Sequence, residues 1–510
     1  LKINQVKVGA ILSYFVLGLN MIIGLIYTPF LIRILGQSEY GLYSLVASII
    51  SYLTVLDLGF GNAIIIYTAR YRAKNQKKEE QKLYGMFVVI YTILGIIAAF
   101  GGIALYLNIG NLFSNSMNIQ EIEIAKKMML VLIFNLAMTF PFSIFGNIIV
   151  AYEKFIFSKI IKIIQILIVP AIMIPLLFAG QRSITMVMVT TVINILCLIA
   201  NAIVCIKLIK IKFDFGKWNW TLLAEIAAYS FFIFLNQVID KVNWSVDQFI
   251  LGTVKGAIAV AVYSVAGQFN TIYLSFSTAI SNVLLPKVTK METENATAED
   301  FTEIFIKTGR IQYIIMALIL TGFILFGKTF INFWAGEGYE TAYYIACIMM
   351  IPVTIPLIQN IGLSILQAKN KYKYRTIIFF AIAILNIVIS IPLAKMYGGI
   401  GSAIGTSISL VLGQIIILNI YYHKSIKIDM IKFWKSILKM TIPVVMSFLL
   451  AFATIELLKI SGLVPLAIMA GAYIIIYSAL MWTMGMNRYE KDLFLNPIIK
   501  ILNKINMKQK

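Results

Sequence analysis

Seven ionisable side chains stand within or at the margins of long apolar runs: Arg33, Asp57, Asp240, Lys241, Asp247, Arg310 and Glu456. A charge at membrane depth is costly, so it usually faces an aqueous cavity or a partner. The chemistry open to these groups is recognition of charge. Asp57, in Leu56-Asp57-Leu58-Gly59-Phe60-Gly61-Asn62, is the deepest by sequence, and it and Arg33 are the first candidates for contact with a ligand. The structural alternatives are equally concrete. Asp57 could pair with a buried donor, Lys241 and Arg310 could snorkel to the interface, and Glu456 lies close to a helix end. Lys159 and Lys162, preceded by Lys154, share one face at the start of a helix. With Arg310 they would suit the vestibule of an anionic ligand, although basic residues also collect there for topological reasons.

Bond-making chemistry has no candidates. There is no nucleophile–base pair and no carboxylate dyad, so no catalytic residue is assigned and an enzyme is not expected. Cys197, Cys205 and Cys347 all lie in apolar runs, where a thiol behaves as a small hydrophobe, and His423 has no second ligand beside it. Neither a disulfide framework, a metal site nor a cofactor is expected. Gly322-Phe323-Ile324-Leu325-Phe326-Gly327-Lys328-Thr329 matches a phosphate-loop string, but its bulky apolar residues end a membrane helix rather than form a solvated turn after a strand. Gly401, Gly405, Ser409 and Gly413 recur every four residues, a pattern that lets helix backbones approach closely in lipid.

The elements that must hold these residues are membrane spans. Of 510 residues 60% are hydrophobic and 13% charged, and the mean hydropathy is +0.89. The apolar residues come in blocks of roughly 20 to 25, long enough to cross a hydrocarbon core as helices; the short alternating segments of a transmembrane barrel are absent. Fourteen helices are expected, near 8–32, 41–67, 83–107, 127–150, 160–179, 183–206, 221–240 and 257–285, then 308–328, 342–366, 376–394, 399–421, 436–458 and 463–485. The first run is too long for a signal-peptide core and lacks a small-residue cleavage site, so it is read as helix 1. Of the 43 Lys and Arg, 34 fall at the N-terminus, in alternate loops and in the C-terminal tail, against 9 on the other side. That alternation places both termini in the cytoplasm. It also explains a net charge of +21 without nucleic acid, as basic residues facing anionic headgroups. Residues 286–307 read as the longest internal loop, in which Thr297-Ala298-Glu299-Asp300 could open a short helix. The stretch 487–510 reads as an interfacial amphipathic tail.

An internal repeat organises the spans. Leu35-Gly36 and Leu251-Gly252 end helices 1 and 7 at an offset of 216, and Tyr43-Ser44 with Asn62 matches Tyr263-Ser264 with Asn282 at 220. Six helices separate the copies, so the halves run in the same direction about an axis along the membrane normal. The expected architecture is all-α and polytopic: an N-lobe at 1–212, a C-lobe at 213–430 in pseudo-two-fold repeat, and two extra helices at 431–486. Aligning the Leu-Gly ends sets Asp247 near the counterpart of Arg33, which suggests an outer gate made by that pair.

Leu35-Gly36-Gln37-Ser38-Glu39-Tyr40-Gly41-Leu42-Tyr43 followed by Leu56-Asp57-Leu58-Gly59 resembles the N-terminal signature of bacterial polysaccharide-repeat-unit flippases. These are O-antigen-type transporters of the multidrug/oligosaccharidyl-lipid/polysaccharide exporter superfamily. The stretch from Tyr229-Ser230 through Asn236, Asp240, Trp244 and Asp247 to Leu251-Gly252 is similar to their helix 7. The resemblance implies a bacterial cytoplasmic-membrane protein that flips undecaprenyl-diphosphate-linked oligosaccharide by alternating access. Its partners would be the lipid-linked oligosaccharide diphosphate, membrane lipids, and a polysaccharide polymerase with its chain-length machinery. Related lipid II flippases carry cavity arginines on helices 2 and 8, and the apolar parts of those helices have none here, which favours another glycan. Helix 1 lacks the acidic residue of many multidrug relatives. The alternatives are a drug/cation antiporter of the same fold and a non-transporting scaffold of a glycan-assembly complex.

Overall fold

The computed structural model describes residues 5–216, 218–369, 371–458 and 462–495, and every regular element among them is helical. In hydrocarbon a backbone N–H or C=O has no water to bond, so a spanning segment must satisfy its own ladder. Among the described residues, twelve helices are long and apolar enough to cross a membrane. Two of them, Val8–Ala73 and Tyr374–Lys424, have 66 and 51 residues, about 100 and 75 Å at 1.5 Å per residue against a hydrocarbon core of about 30 Å. Each contains a glycine with non-helical backbone angles, Gly36 (φ 78°, ψ 171°) and Gly398 (φ 61°, ψ −135°). Each is long enough for two spans, which brings the described residues to about fourteen.

Several boundaries differ from the sequence reading. Helix 2 is not continuous. After Leu53 the chain tightens into a 3-10 turn, Thr54–Asp57, passes through Leu58 (φ 54°) and Gly59 (φ 74°), and restarts as Phe60–Ala73. A left-handed leucine is strained by about 1–3 kcal/mol, a strain that tends to be kept at functional positions. The loop expected at 286–307 is largely helix: helix 8 (Ala257–Thr293) runs on, and helix 9 (Ala298–Ala335) starts behind a Thr297–Asp300 capping box. The phosphate-loop string lies inside helix 9, so its N–H groups belong to the helical ladder. Most of the expected amphipathic tail, residues 496–510, lies outside the described residues.

The described residues divide into two compact units, one running up to Val265 with Ala383–Thr406, the other comprising Ala266–Ile382 and the residues from Ser407 on. In the first, a ladder of rings runs from Phe60 through Phe87 and Tyr91 to Phe140, with centroids 5.8, 6.2 and 6.4 Å apart, behind the break in helix 2. In the second, helix 9 packs on helices 13 (Met430–Leu457) and 14 (Leu463–Leu480) through Ile314, Met440, Tyr473 and Tyr477. The Tyr477 hydroxyl donates to the Ile314 carbonyl at 2.8 Å, and Thr321 and Tyr473 share a bond of 2.5 Å. Such bonds between helices supply the adhesion that lipid, itself apolar, does not.

Close approach in the first unit depends on Gly41. A Cβ there would come within 2.6 Å of the Ala257 carbonyl carbon and nearer still to its oxygen. Gly41→Ala is expected to destabilise the protein by about 1–3 kcal/mol through overpacking, read as a lower melting temperature in detergent. Gly18→Ala, with nothing within 4 Å of its Cβ, should leave melting almost unchanged.

Candidate functional site: a buried oxygen cage around Asp247

Helix 7 (Trp220–Lys255) carries Asp247 into the first unit with a relative exposure of 1%. Three hydroxyls converge on its carboxylate. Ser402 Oγ donates to Oδ1 at 2.6 Å, and Tyr263 OH and Thr406 Oγ1 donate to Oδ2 at 2.6 and 2.7 Å. Asn386 stands behind them, its Oδ1 2.8 Å from Ser390 Oγ and 3.1 Å from Thr406 Oγ1.

The sequence builds this cage with two i,i+4 pairs. Asn386 and Ser390 lie on one face of helix 11 (372–397), and Ser402 and Thr406 on one face of helix 12, which begins at 399. The left-handed turn at Gly398 joins the two helices, and Gly405 lets them touch: a Cβ there would stand 2.8 Å from Ser390 Cα. The small residues at Gly401 and Gly405 thus serve the close packing read from their spacing, and that packing brings the hydroxyls to the acid.

The donor set is made of oxygen. Hard cations take such ligands, and a single carboxylate is neutralised by one positive charge, which suits a proton or a monovalent metal ion at low dielectric. No group of three His, Cys, Asp or Glu suited to a metal occurs among the described residues. The cage also has polar capacity that the protein leaves unused: Asn386 Nδ2 and the neighbouring Tyr52 hydroxyl are buried without hydrogen-bond partners. Buried polar groups of this kind are uncommon in native structures.

The outer gate expected from Arg33 and Asp247 is corrected by this geometry. Asp247 is enclosed with neutral hydroxyl partners, whereas Arg33 is exposed in the last turn before Gly36. Arg310, expected in an anion vestibule, is also placed elsewhere. It is 8% exposed in the second unit and bonds Glu490 through Nε (2.5 Å) and Nη2 (2.9 Å), with further bonds to Ser436 and the Gly485 carbonyl. A guanidinium so enclosed is not offered to a ligand. Lys159 is half-buried, and Lys162 is exposed with Nζ 3.1 Å from Gln165 Oε1. Asp57 closes the 3-10 turn of helix 2 and accepts from Tyr91 OH at 2.7 Å, with the Gly59 and Gly61 amides also turned toward it.

A family model described as polysaccharide biosynthesis protein matches residues 6–292, more than half of the chain. The chain belongs to the polysaccharide biosynthesis protein family. It is 23% identical over 417 residues to a Shigella flexneri protein whose assignment as an O-antigen transporter is provisional, covering 77% of this chain and 92% of the relative. Its fold is that of lipid II flippase MurJ in an inward closed conformation: TM-score 0.71, 17% identity, 97% of this chain and 100% of that one. An inward-facing multidrug MATE transporter of the MOP superfamily follows at TM-score 0.63, 13% identity, and 82% and 99% coverage. In this polysaccharide biosynthesis family member the N-terminal signature residues have structural duties. Glu39 accepts from Ser183 N (2.8 Å) and Ser183 Oγ (2.6 Å) at the start of helix 6 and pairs with Arg182 at 3.3 Å, while Gly41 packs on Ala257.

Proposed function

We propose that this multi-pass membrane protein moves an undecaprenyl-diphosphate-linked oligosaccharide repeat unit across the bacterial cytoplasmic membrane by alternating access. Membership of the polysaccharide biosynthesis protein family carries this reading, and the MurJ-like fold supports it. The basic loops and both termini face the cytoplasm in this proposal. Lys159 and Lys162 are the cations offered to the diphosphate, Arg33 and Asp57 line the path, and a polysaccharide polymerase receives the product. Arg310 drops from that set.

The Asp247 cage takes the coupling cation. A ligand shifts a two-state equilibrium only by its differential affinity for the two states. A carboxylate shared between helices 7, 8, 11 and 12 is well placed to give a cation such a preference. The acid that many multidrug relatives hold on helix 1 has its counterpart here on helix 7.

The test is export in a host lacking its own repeat-unit flippase. Lipid-linked glycan should accumulate on the cytoplasmic leaflet, and expression of this chain should restore surface glycan. Restoration of drug resistance without surface glycan would favour the antiporter. Restoration that survives Lys159→Gln with Lys162→Gln and Asp247→Asn together would favour the scaffold.

A further inference from the structure

A cavity lies in the first unit, away from Asp247, at the ends of helices 2, 3 (Lys77–Phe113), 4 (Ile119–Ala151) and 6 (Ser183–Ile203). Its volume is about 680 Å³, and Arg72, Lys77, Lys210 and Lys212 line it against Glu80 and Glu153. The basin is a constructed one. Arg72 lies 3.9 Å over the Tyr152 ring and donates to the Ala151 carbonyl at 2.8 Å. The hydroxyls of Tyr84 and Tyr152 both donate to Glu80 Oε1 at 2.6 Å, so the buried acid at the back is already held. The Asp214 amide bonds the Gln81 carbonyl at 3.0 Å and fixes the far wall. The ammonium groups of Lys77, Lys210 and Lys212 have no ion pair or hydrogen bond among the described residues.

An apolar slot adjoins the basin. It has a volume of about 440 Å³ and is lined by Phe157, Val204 and Leu208 with Lys154 at its rim, and it shares Tyr152 and Ile209 with the basin. The slot lies along the π-helical turn Val204–Ile209 that ends helix 6, a form of helix frequent at functional sites. Leu208 is 76% exposed, an apolar side chain left open beside the slot.

We propose that basin and slot together hold an anionic phospholipid of the adjoining leaflet. Its phosphate sits among Lys77, Lys210, Lys212 and Arg72, and an acyl chain runs along Phe157, Val204 and Leu208. Charge complementarity argues for the headgroup: four cations face two carboxylates, one of them already bonded by two tyrosines. A bilayer phospholipid is favoured over a lipid-linked sugar because Tyr84 is buried and Arg72 covers a face of Tyr152, which leaves little aromatic surface for a sugar ring to stack on. The site stands independently of the transport reading.

The experiment is native mass spectrometry of the purified full-length protein titrated with phosphatidylglycerol or phosphatidylcholine. Phosphatidylglycerol should be retained preferentially by the natural sequence. The variant Lys77→Gln/Lys210→Gln/Lys212→Gln removes no internal ion pair, and it should bind phosphatidylglycerol at least about tenfold more weakly, from the attraction each basic residue has for an anionic surface. Its melting temperature and phosphatidylcholine binding should be unchanged. Leu208→Asn should weaken phosphatidylglycerol while leaving water-soluble glycerol phosphate unaffected. Equal retention of the two lipids, or a triple variant that binds phosphatidylglycerol as before, overturns the proposal. Displacement of phosphatidylglycerol by equimolar undecaprenyl diphosphate also overturns it and gives the site to the cargo. None of these readouts depends on export.

Discussion

Asp247→Asn is expected to lower glycan export by about 10- to 100-fold while leaving the protein folded. The amide is nearly isosteric with the carboxylate, and its oxygen can still accept from Ser402 or from Tyr263 and Thr406. What it loses is the negative charge that a proton or monovalent cation would neutralise. The magnitude follows from coupling free energies between sites, about 1–3 kcal/mol. Ser402→Ala and Thr406→Val should give smaller losses, since each removes one neutral oxygen. Export by reconstituted vesicles, with and without an imposed cation gradient, is the measurement. Gradient-dependent export by the Asn variant at the natural rate would remove Asp247 from the coupling reaction.

Arg310→Ala should destabilise the protein by about 3–5 kcal/mol, the usual consequence of breaking a buried ion pair from one side. The substitution strands the Glu490 carboxylate, which is buried on the second unit and also caps its own turn by bonding Asn487 N at 2.9 Å. The double replacement Arg310→Met/Glu490→Leu should recover much of the loss, because apolar residues of similar volume do as well as a buried pair in many proteins. Thermal unfolding in one detergent compares all three. A double variant as unstable as Arg310→Ala would show that the bonds from Arg310 to Ser436 and Gly485 matter more than the charges do.

The spans were legible in the sequence because lipid leaves a helix few alternatives, and the turns at Gly36 and Gly398 fell in the gaps left between apolar runs. The break in helix 2 was not. Leucine at φ 54° is held by surrounding packing, and Leu58 carries no turn signal of its own beyond the Gly59 that follows. Asp247 was visible as a charge. Ser402 and Thr406, more than 150 residues further along, are ordinary residues in an apolar helix until folding brings them to the acid. Arg310 was misread for the same reason, since its partner lies 180 residues on, in a stretch whose composition suggested an interfacial amphipathic tail.

That separation has a consequence in time. A ribosome adding about 5–20 residues per second needs roughly 10–40 s to travel from Arg310 to Glu490. Throughout that interval helix 9 is in or entering the bilayer with its guanidinium uncompensated, held near the interface or by temporary partners. Glu490 leaves the ribosome only after helix 14. The pair can therefore form only once the chain has been made past residue 490. A chain that stalls before residue 490 leaves the Arg310 guanidinium without the carboxylate that neutralises it in the finished protein.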